Sequence, residues 1–129
     1  LGGKVGVLIE VGCGKEETVK KEIFKELAKD LSLHVAACSP MCLTAEEVPE
    51  EEINAERKIY AKQADGKPAQ IIDKIVDGKL QKFFAEICLL NQGFVKEPKQ
   101  SVKSLLTAKG KELDDILTIR RFARYQIGK

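Results

Sequence analysis

A chain of 129 residues is long enough for one folded domain with its own core. Its 43% apolar and 33% charged content excludes a disordered tail, and no apolar run approaches the roughly 18 residues that a membrane-spanning helix needs. A net charge of +2 is too small to make nucleic acid a partner on electrostatics alone.

Residues 4–11 read as the first strand, with Val5, Val7, Ile9 and Val11 on one face and Gly6, Leu8 and Glu10 on the other. Leu8 makes the second face partly apolar, which predicts a central or covered strand. Gly12 and Gly14 punctuate its end. A long helix is expected over 15–37, where Val19, Ile23, Leu27, Leu31 and Val35 form a stripe that Phe24 and Ala28 broaden. Lys20, Lys21, Lys25, Lys29 and Asp30 fall largely on the other side. Glu16 and Glu17 suit the positive end of the helix dipole, and Pro40 prevents further helix.

Thr44 to Glu47 has the T-x-x-E form of a capping box, and the acidic run through Glu52 is expected to feed a helix ending near Ala64. Ile53, Ile59 and Tyr60 are its predicted buried positions. Gly66 and Pro68 break it. Two further helices are predicted over 68–76 and 77–90, separated at Gly78, the second burying Leu80, Phe83, Phe84, Ile87 and Leu90. Residues 101–108 form a short amphipathic helix with Val102, Leu105 and Leu106 inward, weakened at Gly110, and Asp114-Asp115 reads as a turn. A last strand over 116–127 sets Leu117, Ile119, Ala123, Tyr125 and Ile127 on one face, and Arg121 within that face predicts a bulge or a rim position. Two strands alone make a marginal sheet, so a third is expected near 93–96 or ahead of Leu1. The predicted fold class is α+β, with helices packed on a small antiparallel sheet.

Of the four cysteines, Cys38 and Cys42 form a C-x3-C pair. A structural zinc site needs four ligands, and Cys13, Cys88 and His34 show no paired spacing, so no metal is assigned. Reduced thiols are the expectation, and the sequence leaves a Cys38–Cys42 or an interchain disulfide open. His34 has no nucleophile at motif spacing, so no catalytic residue is assigned. Gly12-Cys13-Gly14-Lys15 lacks the spacing of a phosphate-binding loop.

Three ordered words stand out: Gly66-Lys67-Pro68, Ile75-Val76-Asp77-Gly78-Lys79-Leu80 and Leu89-Leu90-Asn91-Gln92-Gly93-Phe94-Val95. Together they resemble the elongation factor Ts family, which writes them G-K-P, I-V-E-G-R-L and L-L-E-Q-P-F-V. The likeness extends from Gly2-Gly3-Lys4-Val5-Gly6-Val7-Leu8, through His34-Val35-Ala36-Ala37 and Glu47-Val48-Pro49, to Ile119-Arg120-Arg121-Phe122-Ala123-Arg124-Tyr125. It implies a core domain over residues 1–129 that is a fragment of a longer chain, without the family's amino-terminal helical module. It also implies guanine-nucleotide exchange on elongation factor Tu, without covalent chemistry or cofactor, and without direct nucleic-acid or membrane contact. The implied setting is the bacterial cytoplasm, or an organelle's stroma or matrix. A homodimer through the core is compatible with the family.

By this resemblance the partner-binding residues are Cys13, Lys15, Glu16, Glu17 and His34. Where the family writes N-C-E-T-D-F-V-A, this chain has Gly12-Cys13-Gly14-Lys15-Glu16-Glu17-Thr18-Val19. Glu16 takes the Asp position and Glu17 replaces a Phe wedge, although a carboxylate cannot fill an apolar pocket without great cost. Two readings remain open: this lobe corresponds to the family's second core lobe, or the protein is a divergent member with altered exchange. A binding-only relative and a small Cys/His metal-binding domain are the competing functions. Phe83, Phe84 and Phe94 suit core packing, the acidic run from Glu46 to Glu52 a solvated helix start, and Arg120, Arg121 and Arg124 protection of an edge strand.

Overall fold

The computed structural model describes residues 4–127, so the Gly2-Gly3 start of the resemblance lies outside the described residues, as does any strand ahead of Leu1. β-branched residues in alternation make β1 (Val5–Gly12), and β4 (Thr118–Gln126) runs antiparallel beside it. Val5 faces Gln126 and Gly12 faces Thr118, so one ribbon joins the two ends of the described chain. Between them lie α1 (Glu22–Cys38), α2 (Glu50–Gln63), α3 (Ala69–Ile87), the short antiparallel pair β2 (Gly93–Phe94) and β3 (Glu97–Ser101), and α4 (Val102–Leu113). The fold is α+β, as the sequence predicts.

The core forms where α1 and α4 meet the inner face of the ribbon. Leu27, Leu31 and Val35 of α1 cluster with Leu105, Leu106 and Leu113 of α4, with Leu89, Phe94, Leu117 and Ile119 completing it. Val7, Ile9 and Val11 cover it from β1. Ser101 caps α4, its hydroxyl accepting the Ser104 N–H at 3.1 Å. Lys96 Nζ lies 2.7 Å from Asp30 and ties the β2–β3 turn to α1.

Several expectations are corrected by packing. The helix predicted over 15–37 starts only at Glu22; residues Glu16–Lys20 form a 3-10 turn, and Lys21 is extended. The buried stripe of α1 is Phe24, Leu27, Leu31, His34 and Val35, while Val19 and Ile23 stand exposed. Thr44 makes no side-chain cap; Glu47 reaches the Leu43 N–H instead, and a three-residue turn (Ala45–Glu47) precedes the helix that starts after Pro49. The two helices expected over 68–90 are one, because the apolar periodicity runs on through exposed Gly78 from Val76 to Leu80 and outweighs the roughly 1 kcal/mol that a helical glycine costs. Within it Leu80 is buried and Phe83, Phe84 and Ile87 are half-buried. α4 likewise runs past Gly110 to Leu113.

α2 packs chiefly on α3 and buries no residue fully: Ile53 and Tyr60 are half-buried and Ile59 is exposed. Arg57 pairs with Asp77 at 3.5 Å, and Lys79 Nζ bonds Gln63 Oε1 at 2.7 Å and lies over the Tyr60 ring. The two helices form a hairpin standing off the core.

The extra strand expected near 93–96 pairs with β3 in a separate sheet and does not join the ribbon. The ribbon's outer face is therefore uncovered, and Leu8 is 71% exposed, not central. The bulge exists: Glu10 faces Arg121 while Val11 faces Ile119, leaving Arg120 as the extra residue. A bulge reverses the alternation beyond it. Phe122 thus packs inward and Arg124 donates to the Ala36 carbonyl, while Tyr125 and Ile127, predicted on the inner face with Leu117 and Ile119, stand exposed.

Candidate functional site

The segment between β1 and α1 takes its shape from one carboxylate at the far end of the chain. Asp115 Oδ1 accepts the Gly14 N–H at 2.8 Å and its neighbouring Ile116 N–H at 2.6 Å. Oδ2 accepts the Lys15 N–H at 3.1 Å and the Thr18 hydroxyl at 2.6 Å. These donors favour the charged form, the Thr18 hydroxyl most, and hold the Asp115 carboxyl at about 2 against the ordinary 3.8. Two glycines permit the seat. A Cβ on Gly14 would meet Asp115 Oδ1 at 2.8 Å, and one on Gly110 would meet the Asp115 carbonyl oxygen at 2.7 Å.

Thr18 is fully buried, which pins the middle of the 3-10 turn and turns Glu16 and Glu17 outward at its start. Among the described residues neither glutamate is ion-paired. Lys15 Nζ reaches Asp114 at 3.2 Å, an exposed pair worth little by itself. Cys13 is half-buried against the core, and its thiol donates to the Lys15 carbonyl at 3.3 Å. The structure thus gathers Cys13, Lys15, Glu16 and Glu17 on one rim, with two free carboxylates facing outward beside a lysine.

His34 is not part of that rim. It lies toward the other end of α1, about 18 Å along the helix from Glu22. It is fully buried, and both ring nitrogens are engaged. Nδ1 accepts the Val95 N–H at 3.0 Å, so Nε2 carries the proton and donates to Gln92 Oε1 at 2.9 Å. Gln92 Nε2 in turn donates to the Glu86 carbonyl at 2.8 Å. Burial lowers the His34 pKa more than the Gln92 bond raises it. The fully buried ring offers a partner no surface in this structure and packs as a core histidine that ties α1 to Gln92 and Val95.

Sequence reasoning missed Asp115, Thr18 and Gln92. Gln92 stood inside a recognised word, and Asp115 inside a recognised turn, but their partners lie 58 and up to 101 positions away. Cys38 and Cys42 do not face each other as a pair: Cys38 Sγ lies 3.8 Å from His34 Nδ1, and Cys42 faces Cys88. Among the described residues no three His, Cys, Asp or Glu side chains gather as metal ligands, and no helix is long and apolar enough to cross a membrane.

Replacing Asp115 with Asn is expected to raise hydrogen exchange at the Gly14 and Lys15 amides, since a neutral amide accepts less strongly. The depressed carboxyl contributes stability that is complete above about 3.8 and is lost as the pH falls toward 2. An acid titration of the Asn variant should lack that component. Unchanged amide protection would show that the carboxylate does not shape the segment.

The architecture defines a class: an α+β lobe with a helical hairpin and a charged rim pinned to the strand pair. Within that class the chain belongs to the elongation factor Ts family, whose model, described as Elongation factor TS, matches residues 1–129. It is 43% identical over 127 residues to Elongation factor Ts of Thermodesulfovibrio yellowstonii, covering 98% of this chain and 64% of the relative. Elongation factor Ts of Geobacter sp. (strain M21) is 45% identical over 130 aligned positions, covering 99% and 60%. That of Syntrophomonas wolfei is 45% identical, covering 99% and 61%. The chain spans about three fifths of the length of these relatives.

Proposed function

We propose that this lobe docks on elongation factor Tu and promotes release of its GDP, performing no covalent chemistry itself. The observation that carries the reading is the family match over residues 1–129, and the pinned rim supports it as a site. Exchange needs a factor that binds the nucleotide-free state of the GTPase better than the GDP-bound state. By linkage, GDP weakens the factor's binding by the same factor. A rim already pinned by Asp115 loses little conformational freedom on docking. Glu16 and Glu17 are then placed to draw positively charged or hydrogen-donating groups of the GTPase away from the phosphates and Mg2+. His34 acts indirectly, by fixing the segment that carries Gln92 and Val95. The bacterial cytoplasm is the setting this function implies.

The test is release of a fluorescent GDP analogue from elongation factor Tu as this chain is titrated in. Acceleration is expected, and Glu16→Lys with Glu17→Lys should reduce it about tenfold or more, the equivalent of one lost charge-assisted contact. One observation favours a second reading. Glu17 is exposed and charged where the family places an apolar wedge, which suits a relative that binds without driving exchange. Association with unchanged GDP release would select that reading. Neither association nor acceleration would sink both.

A further inference from the structure

We propose that Cys42 and Cys88 form a reversible redox site, closed to a disulfide by small anionic disulfides such as glutathione disulfide and reopened by thiols. The two sulfurs lie 3.4 Å apart, and Cys42 and Cys88 occupy facing positions of a parallel β-bridge. The bridge is made by the backbone: the Cys42 N–H donates to the Ile87 carbonyl at 3.2 Å, and the Leu89 N–H donates to the Cys42 carbonyl at 2.8 Å. The Met41 N–H adds a second bond to the Ile87 carbonyl at 2.8 Å. Facing residues on adjacent extended segments have side chains on the same face and Cα atoms within the range that a disulfide spans. The sulfurs need only close from contact to bonding distance. The alternative pairing across C-x3-C has no such backbone, because Cys38 ends α1 and turns toward His34.

Access is asymmetric. Cys88 is fully buried, whereas Cys42 is half-exposed and lines a groove of about 310 Å3 with Arg120, Arg121, Arg124 and Glu47. Glu10 pairs with Arg121 at 2.6 Å and with Arg120 at 4.0 Å, so the three guanidiniums meet two carboxylates and keep a surplus of one positive charge, which suits an anionic reagent at the Cys42 sulfur. The Cys42 thiolate attacks one sulfur of glutathione disulfide. The reagent's S–S bond breaks, and one glutathione leaves as a thiol with the Cys42 proton. The Cys88 sulfur then attacks Cys42 Sγ, forming the internal disulfide and releasing the second glutathione with the Cys88 proton. Two protein thiols are oxidised and one small disulfide is reduced to two thiols. Burial, with the adjacent Cys42, pushes the Cys88 thiol up to about 12 in the reduced pair; burial, the largest cause, persists once Cys42 is a mixed disulfide, so the second step quickens as pH rises. The link closes a loop of 46 positions containing the whole α2–α3 hairpin and fastens the hairpin's root to the segment after α1.

The experiment is incubation of the folded chain with glutathione disulfide at mildly alkaline pH, with peptide mapping by mass spectrometry before and after reduction. The expected end product is a Cys42–Cys88 linked peptide, with the protein lighter by two hydrogens, restored by dithiothreitol. The midpoint of thermal unfolding should rise in the oxidised form. Cys42→Ser, at a half-exposed position, should keep the native circular dichroism and leave Cys88 unmodified. A glutathione adduct on Cys42 as the end product, a Cys38–Cys42 link or an interchain link in place of the expected one would overturn the proposal. So would ready modification of Cys88 in the Ser variant. A lowered unfolding midpoint on oxidation would show that the bridge geometry is not ready for the bond.

Discussion

His34→Leu is expected to lower the free energy of unfolding by about 2–4 kcal/mol, because it leaves Gln92 Oε1 and the Val95 N–H without partners at little change of volume. Denaturant titration measures the loss. His34→Asn should lose less, since an amide oxygen can stand in for Nδ1 toward Val95 while Gln92 remains unserved. The pH dependence reads the burial of the titrating ring, which lowers its pKa against the opposing effect of the Gln92 bond. The ring's pKa is lowered below 6.5 in the folded state, so its contribution is fully present above that value. As the pH falls below 6.5 the unfolded chain takes the proton first, and stability drops until the folded pKa is passed. Protonation would set an Nδ1–H against the Val95 N–H. The chain has one histidine, so the Leu variant should lack this acid-side loss. Equal slopes in the two proteins between neutrality and mild acid would contradict the lowered pKa of the buried ring.

Leu31→Ala is expected to cost about 3 kcal/mol or more, in the range seen where a fully enclosed leucine is cut back and the cavity cannot collapse. Leu31 is enclosed in the main cluster, with α1 lying against both β1 and α4. Leu33, two positions along the same helix and 50% exposed, is the internal control: its Ala variant should change stability by about 0.5 kcal/mol or less. Both substitutions replace leucine by the best helix former, so helix propensity cancels and the difference reads burial alone. Thermal or denaturant unfolding of the pair decides it, and equal losses would place the core elsewhere.

Features that depend on near neighbours were legible in the sequence. The alternation of Val5, Val7, Ile9 and Val11, the inward set Val102, Leu105 and Leu106, the break at Gly66 and Pro68 and the turn at Asp114 all appear in the fold. What failed depends on distant partners. Thr18 shortens α1 because Asp115 lies across from it, and α1 rotates so that His34, not Ile23, faces inward. Arg121 on an apolar face points to either a bulge or a rim position; that the bulge falls at Arg120, turning Phe122 in and Tyr125 out, depends on the register with β1. For the rim, Glu16 and Glu17 were visible as a charged start, while the carboxylate that holds them in place was not. The pairing of Cys42 with Cys88 had no local signal at all, since C-x3-C spacing points to Cys38 instead.

The clasp on Asp115 spans 97 to 101 positions, and the ribbon beside it pairs the first described strand with the last. The α2–α3 hairpin, by contrast, joins consecutive elements through a short turn and can form early, whereas closing so long a loop comes late and slowly. During synthesis, then, the hairpin can assemble while the rim has no shape, because Asp115 emerges only after both hairpin helices. A nascent chain that has not yet delivered Asp115, or one cut ahead of it, lacks the carboxylate that shapes the rim.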